Sequence, residues 1–156
     1  MIQRIQSVYL FLAGLLPAFT FWLPLMRFHD ENATGFHTLY AMGFRGVGGQ
    51  QLAGEATTPW ALIAIGICCV LLPLITIFGY KNRKAQMCKT RWAMLLVAAY
   101  YAALAVHVWL HATATGLTPA FALGSLCPLL SFLFLWIALR AIRKDEALVR
   151  AADRIR

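Results

Sequence analysis

The apolar residues of this chain gather into long uncharged runs separated by short polar stretches. Residues 8–26 and 59–80 carry no charge, and the longest uncharged run covers 92–139. About 20 consecutive apolar residues in a helix cross the roughly 30 Å hydrocarbon core of a bilayer. The first two runs therefore suit one crossing each, and the third suits two. Its break falls at 113–119, where Gly116 offers a turn and Thr118-Pro119 repeats the helix-start pattern of Thr58-Pro59. Threonine suits the N-cap and proline the first helical position. The pattern predicts four spans over 8–26, 59–80, 92–112 and 119–139.

Pro17, Pro73 and Pro128 are each expected to bend the span that holds them. The third span has no proline and is rich in alanine, which favours a straight helix in close contact with its neighbours. Residues 1–7 read as a lead-in turn. The first apolar run is longer than the core of a signal peptide, and no Ala-x-Ala-like site follows Pro24, so it reads as an uncleaved signal anchor. Between the first two spans lies a polar, Gly-rich loop, 27–58, in which 36–44 can pair as a short hairpin. It is shorter than the roughly 40 residues at which a domain begins to hold its own core. After the fourth span there is no glycine or proline up to Arg156, so the helix continues as an amphipathic tail over 140–156. A helix from 119 to 156 would be about 57 Å long, overshooting the hydrocarbon by roughly 25 Å.

Composition agrees with this class: 61% of residues are hydrophobic, 13% are charged, and the mean hydropathy is +0.68. Charge adds orientation. The loop 81–91 holds Lys81, Arg83, Lys84, Lys89 and Arg91 with no acid. Short loops rich in Lys and Arg stay on the cytoplasmic side. Placing this loop inside puts both termini inside as well, together with Arg4, Arg140, Arg143, Lys144, Arg150, Arg154 and Arg156. Only Arg27 and Arg45 are then outside. This asymmetry accounts for most of the +8 net charge, and nucleic acid is not an expected partner. No cysteine falls in the outer loop, so Cys68, Cys69, Cys88 and Cys127 are expected as free thiols.

Two groups of residues are candidates for function. At 100° per residue, Arg140, Arg143, Arg150 and Arg154 fall on one face of the tail, and Ala141, Leu148, Val149, Ala152 and Ile155 on the other. With Lys144, Asp145, Glu146 and the loop residues Lys81, Arg83 and Lys84, they form a basic surface. It suits an anionic partner protein, the anionic headgroups of the bilayer itself, or contact between tail and loop through Asp145 and Glu146. The second group is histidines. His107 and His111 are four apart on one helix face near the outer end of the third span, and His29 and His37 lie in the outer loop. His107 and His111 could ligate a metal or contact a haem or quinone, with Asp30 and Glu31 as added oxygen ligands. The bland alternative is that interfacial histidines, like Trp109, sit well at the water boundary. The spans contain no Asp, Glu, Lys or Arg, which counts against a coupled transporter. Gly46-Val47-Gly48-Gly49 lacks the strand-to-helix setting of a phosphate loop.

The opening Met1-Ile2-Gln3-Arg4-Ile5-Gln6-Ser7-Val8-Tyr9-Leu10 and the closing run from Arg143 to Arg156 resemble a family of small four-span bacterial inner-membrane proteins. It is a domain-of-unknown-function family, numbered four-two-nine-three. The basic central loop fits as well, so the resemblance covers the whole chain. It implies a Gram-negative inner-membrane location and the four-span topology, and it implies no activity.

The expectation is an all-α integral membrane protein, a bundle of four transmembrane helices with both termini cytoplasmic. Its leading function is non-catalytic: an accessory or scaffold subunit whose basic cytoplasmic face binds a membrane or cytoplasmic partner protein or anionic lipid. The alternatives are a redox or metal protein using the outer histidines and a small transporter or channel subunit. No cofactor is expected under the leading reading.

Overall fold

A computed structural model describes residues 2–29, 36–46, 59–79 and 82–154. Four helices carry the fold: α1 (Ile2–Phe19), α2 (Trp60–Phe78), α3 (Arg83–Thr115) and α4 (Leu123–Arg154). Helix α1 packs on α2 and α4, and α3 packs on the same two, so the four close into a ring. Leu10, Leu62, Val97, Tyr100 and Leu135 fill the centre and are almost fully buried. Small residues set the helix spacing. A Cβ added at Gly14 of α1 would stand 3.1 Å from Leu74 Cγ and from the Val70 carbonyl oxygen of α2. Ala13, Ala93 and Ala138 are buried at other contacts. Close backbone approach of this kind is how helices associate where lipid removes the hydrophobic drive between them.

Among the described residues three helices, α2, α3 and α4, are long and apolar enough to cross a membrane. At 33 and 32 residues, α3 and α4 would each run about 48–50 Å, well beyond the roughly 30 Å of hydrocarbon. Helix α1 is shorter than the span read from its apolar run. It stops at Phe19, and the chain turns through Thr20 to Trp22, whose amide groups bond back to the Pro17, Ala18 and Phe19 carbonyls. Large apolar side chains cover the outside of the bundle. Exposed Trp22, Trp60, Trp109 and Phe121 lie toward one end, and exposed Phe78, Trp92 and Trp136 toward the other. Along α3, Trp92 and Trp109 are about 26 Å apart at 1.5 Å per residue, close to the separation of the two aromatic belts of a bilayer.

The all-α expectation needs correction. Four short strands, β1 (Met26–His29), β2 (Phe36–Tyr40), β3 (Gly43–Arg45) and β4 (Thr118–Phe121), form an antiparallel sheet in the order β3-β2-β1-β4. The hairpin expected over 36–44 is its β2–β3 pair. Met26-Arg27-Phe28-His29 alternates apolar and polar with period two, and Met26 and Phe28 are buried while Arg27 is exposed. That alternation was hidden at the tail of an apolar run. Thr118-Pro119 does not start a helix either. It lies in β4, an edge strand, where the missing amide of proline is tolerated. Helix α3 ends at Gly116 (φ 70°), whose N–H returns to the Ala112 carbonyl at 2.8 Å, and α4 begins only at Leu123.

The start of α4 explains how sheet and bundle join. The Gly124 N–H donates to the Pro24 carbonyl at 2.8 Å, and the Ala122 N–H to the Leu25 carbonyl at 3.3 Å. The turn after α1 thus satisfies amides that a helix start leaves without a partner. A Cβ at position 124 would stand 2.5 Å from the Pro24 oxygen, so glycine is needed for the approach. The segment expected as a basic loop, 81–91, is mostly helix. Asn82 caps α3 by accepting the Ala85 N–H at 3.1 Å, and Arg83 opens the first turn. Only a short connection links α2 to α3.

Candidate functional site

Apart from Arg27 and Arg45 in the sheet, the charges of the described residues sit at the end of the bundle opposite the histidines. At the basic end, the start of α1, the start of α3 and the second half of α4 come together. Gln6 Nε2 donates to the Ala141 carbonyl at 3.2 Å. Arg83 Nη2 lies 3.4 Å from Asp145 Oδ2, and Arg83 Nη1 donates to the Asp145 carbonyl at 3.3 Å. The helix period explains this pair. Ala138, Leu139 and Ile142 are the buried stripe of α4. Asp145, one turn further, continues that stripe toward α3. Arg140, Arg143 and Lys144 point the other way and are exposed, as are Lys84 and Arg91 of α3. The Arg140 guanidinium lies 3.8 Å from the centre of the Trp136 ring, an arrangement that carries a charge from an apolar stem to the water boundary.

Of the residues singled out at this end, the structure joins Arg83 to Asp145 and leaves Lys84, Arg140, Arg143 and Lys144 presented to the outside. Glu146 is half-buried beside them. Arg150 and Arg154 continue α4, while Lys81 lies outside the described residues. The apolar Leu148 and Val149, on the back of the tail, are exposed.

At the sheet end, the expected pair His107 and His111 is not the pair that meets. His107 Nδ1 donates to the Ala103 carbonyl of its own helix at 2.8 Å. His111 instead meets His37 of β2, with His37 Nδ1 and His111 Nε2 3.3 Å apart. Register explains why. Phe28 pairs with His37, and Leu39 with both Met26 and Phe44, so these side chains share the face turned to the bundle. His29 has the opposite parity on β1 and lies on the other face. Aromatic neighbours fix the His111 ring: it stacks on Phe44 with centroids 3.9 Å apart and meets the edge of Phe28 at 4.8 Å. Among the described residues, no group of three or more His, Cys, Asp or Glu could hold a metal ion. Asp30 and Glu31, weighed as oxygen ligands, lie outside the described residues. The four cysteines are free thiols.

The sequence model of a protein family described as a domain of unknown function (DUF4293) matches residues 2–155, nearly the whole chain. The chain belongs to that family. No curated protein is similar enough to count as a match. For this DUF4293 chain the two ends of the bundle are therefore read on their own chemistry. The basic end offers spaced cations on rigid helices. The sheet end offers two imidazoles in an aromatic frame. Sequence reasoning missed His37 as the partner of His111 because the link runs between β2 and α3, 74 positions apart. The one local signal was the alternation of the 36–40 strand, which gives His37 and Leu39 the same face.

Proposed function

We propose that this chain is a four-span protein of a bacterial inner membrane, with both termini cytoplasmic, that serves as a non-catalytic accessory or scaffold subunit. Its basic end holds anionic lipid headgroups and docks an acidic surface of a membrane or cytoplasmic partner. The topology reading is supported by the gathering of Arg83, Lys84, Arg91, Arg140, Arg143 and Lys144 at one end, as the positive-inside rule requires of a cytoplasmic face. Helix α1 counts as a crossing when the apolar turn that follows it is included. Non-helical backbone is tolerated at that depth because α4 and the sheet satisfy it.

One observation carries the functional reading. Helix α4 continues well past a bilayer's thickness, yet Asp145 fastens it to Arg83, so Arg140, Arg143 and Lys144 are displayed on a braced helix. A pure topology signal needs positive charge and no such brace. The deciding experiment compares the native chain with the triple variant Arg140→Glu, Arg143→Glu, Lys144→Glu and with a chain lacking 148–156. Each is cross-linked in intact cells, and the captured proteins are identified by mass spectrometry. Loss of specific cross-linked partners in both variants, at unchanged membrane abundance, is the expected result. An identical set of partners in all three chains would overturn the docking role.

A further inference from the structure

At the sheet end, away from the basic surface, we propose that His37 and His111 form a two-imidazole site for a borderline divalent cation, zinc or copper(II). The spacing of the two nitrogens is the first observation behind it. Two nitrogens bound to a tetrahedral zinc at about 2.0–2.1 Å stand about 3.3–3.4 Å apart. The observed separation of His37 Nδ1 and His111 Nε2 is 3.3 Å. Without a metal the same 3.3 Å is bridged by an N–H···N hydrogen bond, which holds the two nitrogens at the chelating distance. The pair is spaced for a chelate as well as for a hydrogen bond.

The ligands are also preorganised. His37 sits on β2, inside the sheet, and His111 on α3, so the two arrive from separate rigid elements. The His111 ring cannot swing freely, because Phe44 stacks on one side and Phe28 meets it edge-on. Both histidines are half-buried, leaving an approach from outside. Binding needs no net loss of a proton: the hydrogen between the facing nitrogens moves to the far nitrogen of its own ring, and the metal takes its place. Among the described residues no third ligand joins the pair, so the remaining positions on the cation are left to water or to a carboxylate or imidazole from elsewhere. A structural zinc is closed by four protein ligands, so a cation held by this pair is not of the structural kind. His107 is not part of the pair; its Nδ1 donates to the Ala103 carbonyl of its own helix.

The test uses the full chain without a polyhistidine tag, purified in mild detergent, stripped with chelator and alkylated at its cysteines. Zinc sulfate is titrated calorimetrically, and copper(II) is added for electron paramagnetic resonance. His111→Phe keeps an aromatic ring against Phe44 and Phe28 while removing the ligand, and His37→Asn keeps a polar side chain on β2. One zinc per chain is expected, weakened by about tenfold or more in each variant and unchanged in His107→Asn, with a copper signal split by two nitrogens. Zinc binding equally tight in the His37→Asn, His111→Phe double variant would overturn the site. So would a loss that follows His107→Asn alone.

Discussion

Ser131 donates its hydroxyl to the Ala13 carbonyl at 2.6 Å, from α4 to α1, in the middle of the bundle. Position 17 is proline, so the amide that would have bonded to Ala13 within α1 does not exist. A carbonyl left open in lipid costs several kcal/mol. The serine closes it, and in doing so ties together two helices at a buried site where Ser131 has no exposed surface.

Ser131→Ala is therefore expected to destabilise the bundle by about 1 kcal/mol, in line with interhelical hydrogen bonds in membranes. Unfolding in a detergent series measures it. The informative comparison is the same substitution made in a Pro17→Ala chain, where the α1 amide is restored and the serine is no longer required. The cost should shrink there. An equal cost in both backgrounds would show that Ser131 does not act through the proline gap.

Gly124→Ala places a methyl group 2.5 Å from the Pro24 oxygen, with both Pro24 and Leu23 backbone in the way. Backbone cannot rotate aside as a side chain can, so α4 must shift from the turn. A loss of about 1–3 kcal/mol is expected, the usual cost of overpacking. Gly14→Ala serves as the milder comparison, since its nearest contacts are at 3.1 Å and include the movable Leu74 side chain. Thermal unfolding followed by size-exclusion chromatography should rank Gly124→Ala as the more damaging of the two.

Orientation is the third prediction. A fluorescent reporter that matures only in the cytoplasm should light up when fused after Arg156. The same reporter inserted between His29 and Phe36 should stay dark, and an alkaline phosphatase fusion there should be active. The reverse pattern would exchange the sides of the basic end and the histidines, and the partner-docking reading would fall with it.

Much of the architecture was legible in the chain because lipid imposes a simple rule: long uncharged runs must become helices. The apolar runs over 59–80 and 92–139 therefore announced α2, α3 and α4, and the turn at Gly116 was visible as a break. The basic end was legible too, since charge is read directly from residue type. Short strands were not. Four or five residues at the end of an apolar run carry too little periodicity to compete with a helix signal, so β1 and β4 were absorbed into neighbouring elements. The run 81–91 reads as a loop on its charge alone, and the cap at Asn82 that starts α3 there is visible only in the structure.

By itself the sequence determined that the chain is mostly helical, which apolar runs supply its helices, and the uneven placement of its charges, all properties of single residues or of neighbours along the chain; where each helix starts and stops was settled by the fold. Only the tertiary structure decided that His37 meets His111, that Asp145 meets Arg83, and that Ser131 completes the proline gap at Ala13. Each of these joins elements distant in sequence. The pairing depends on strand register, on helix rotation about its own axis and on how closely small residues let two backbones approach, and no local pattern encodes those three together.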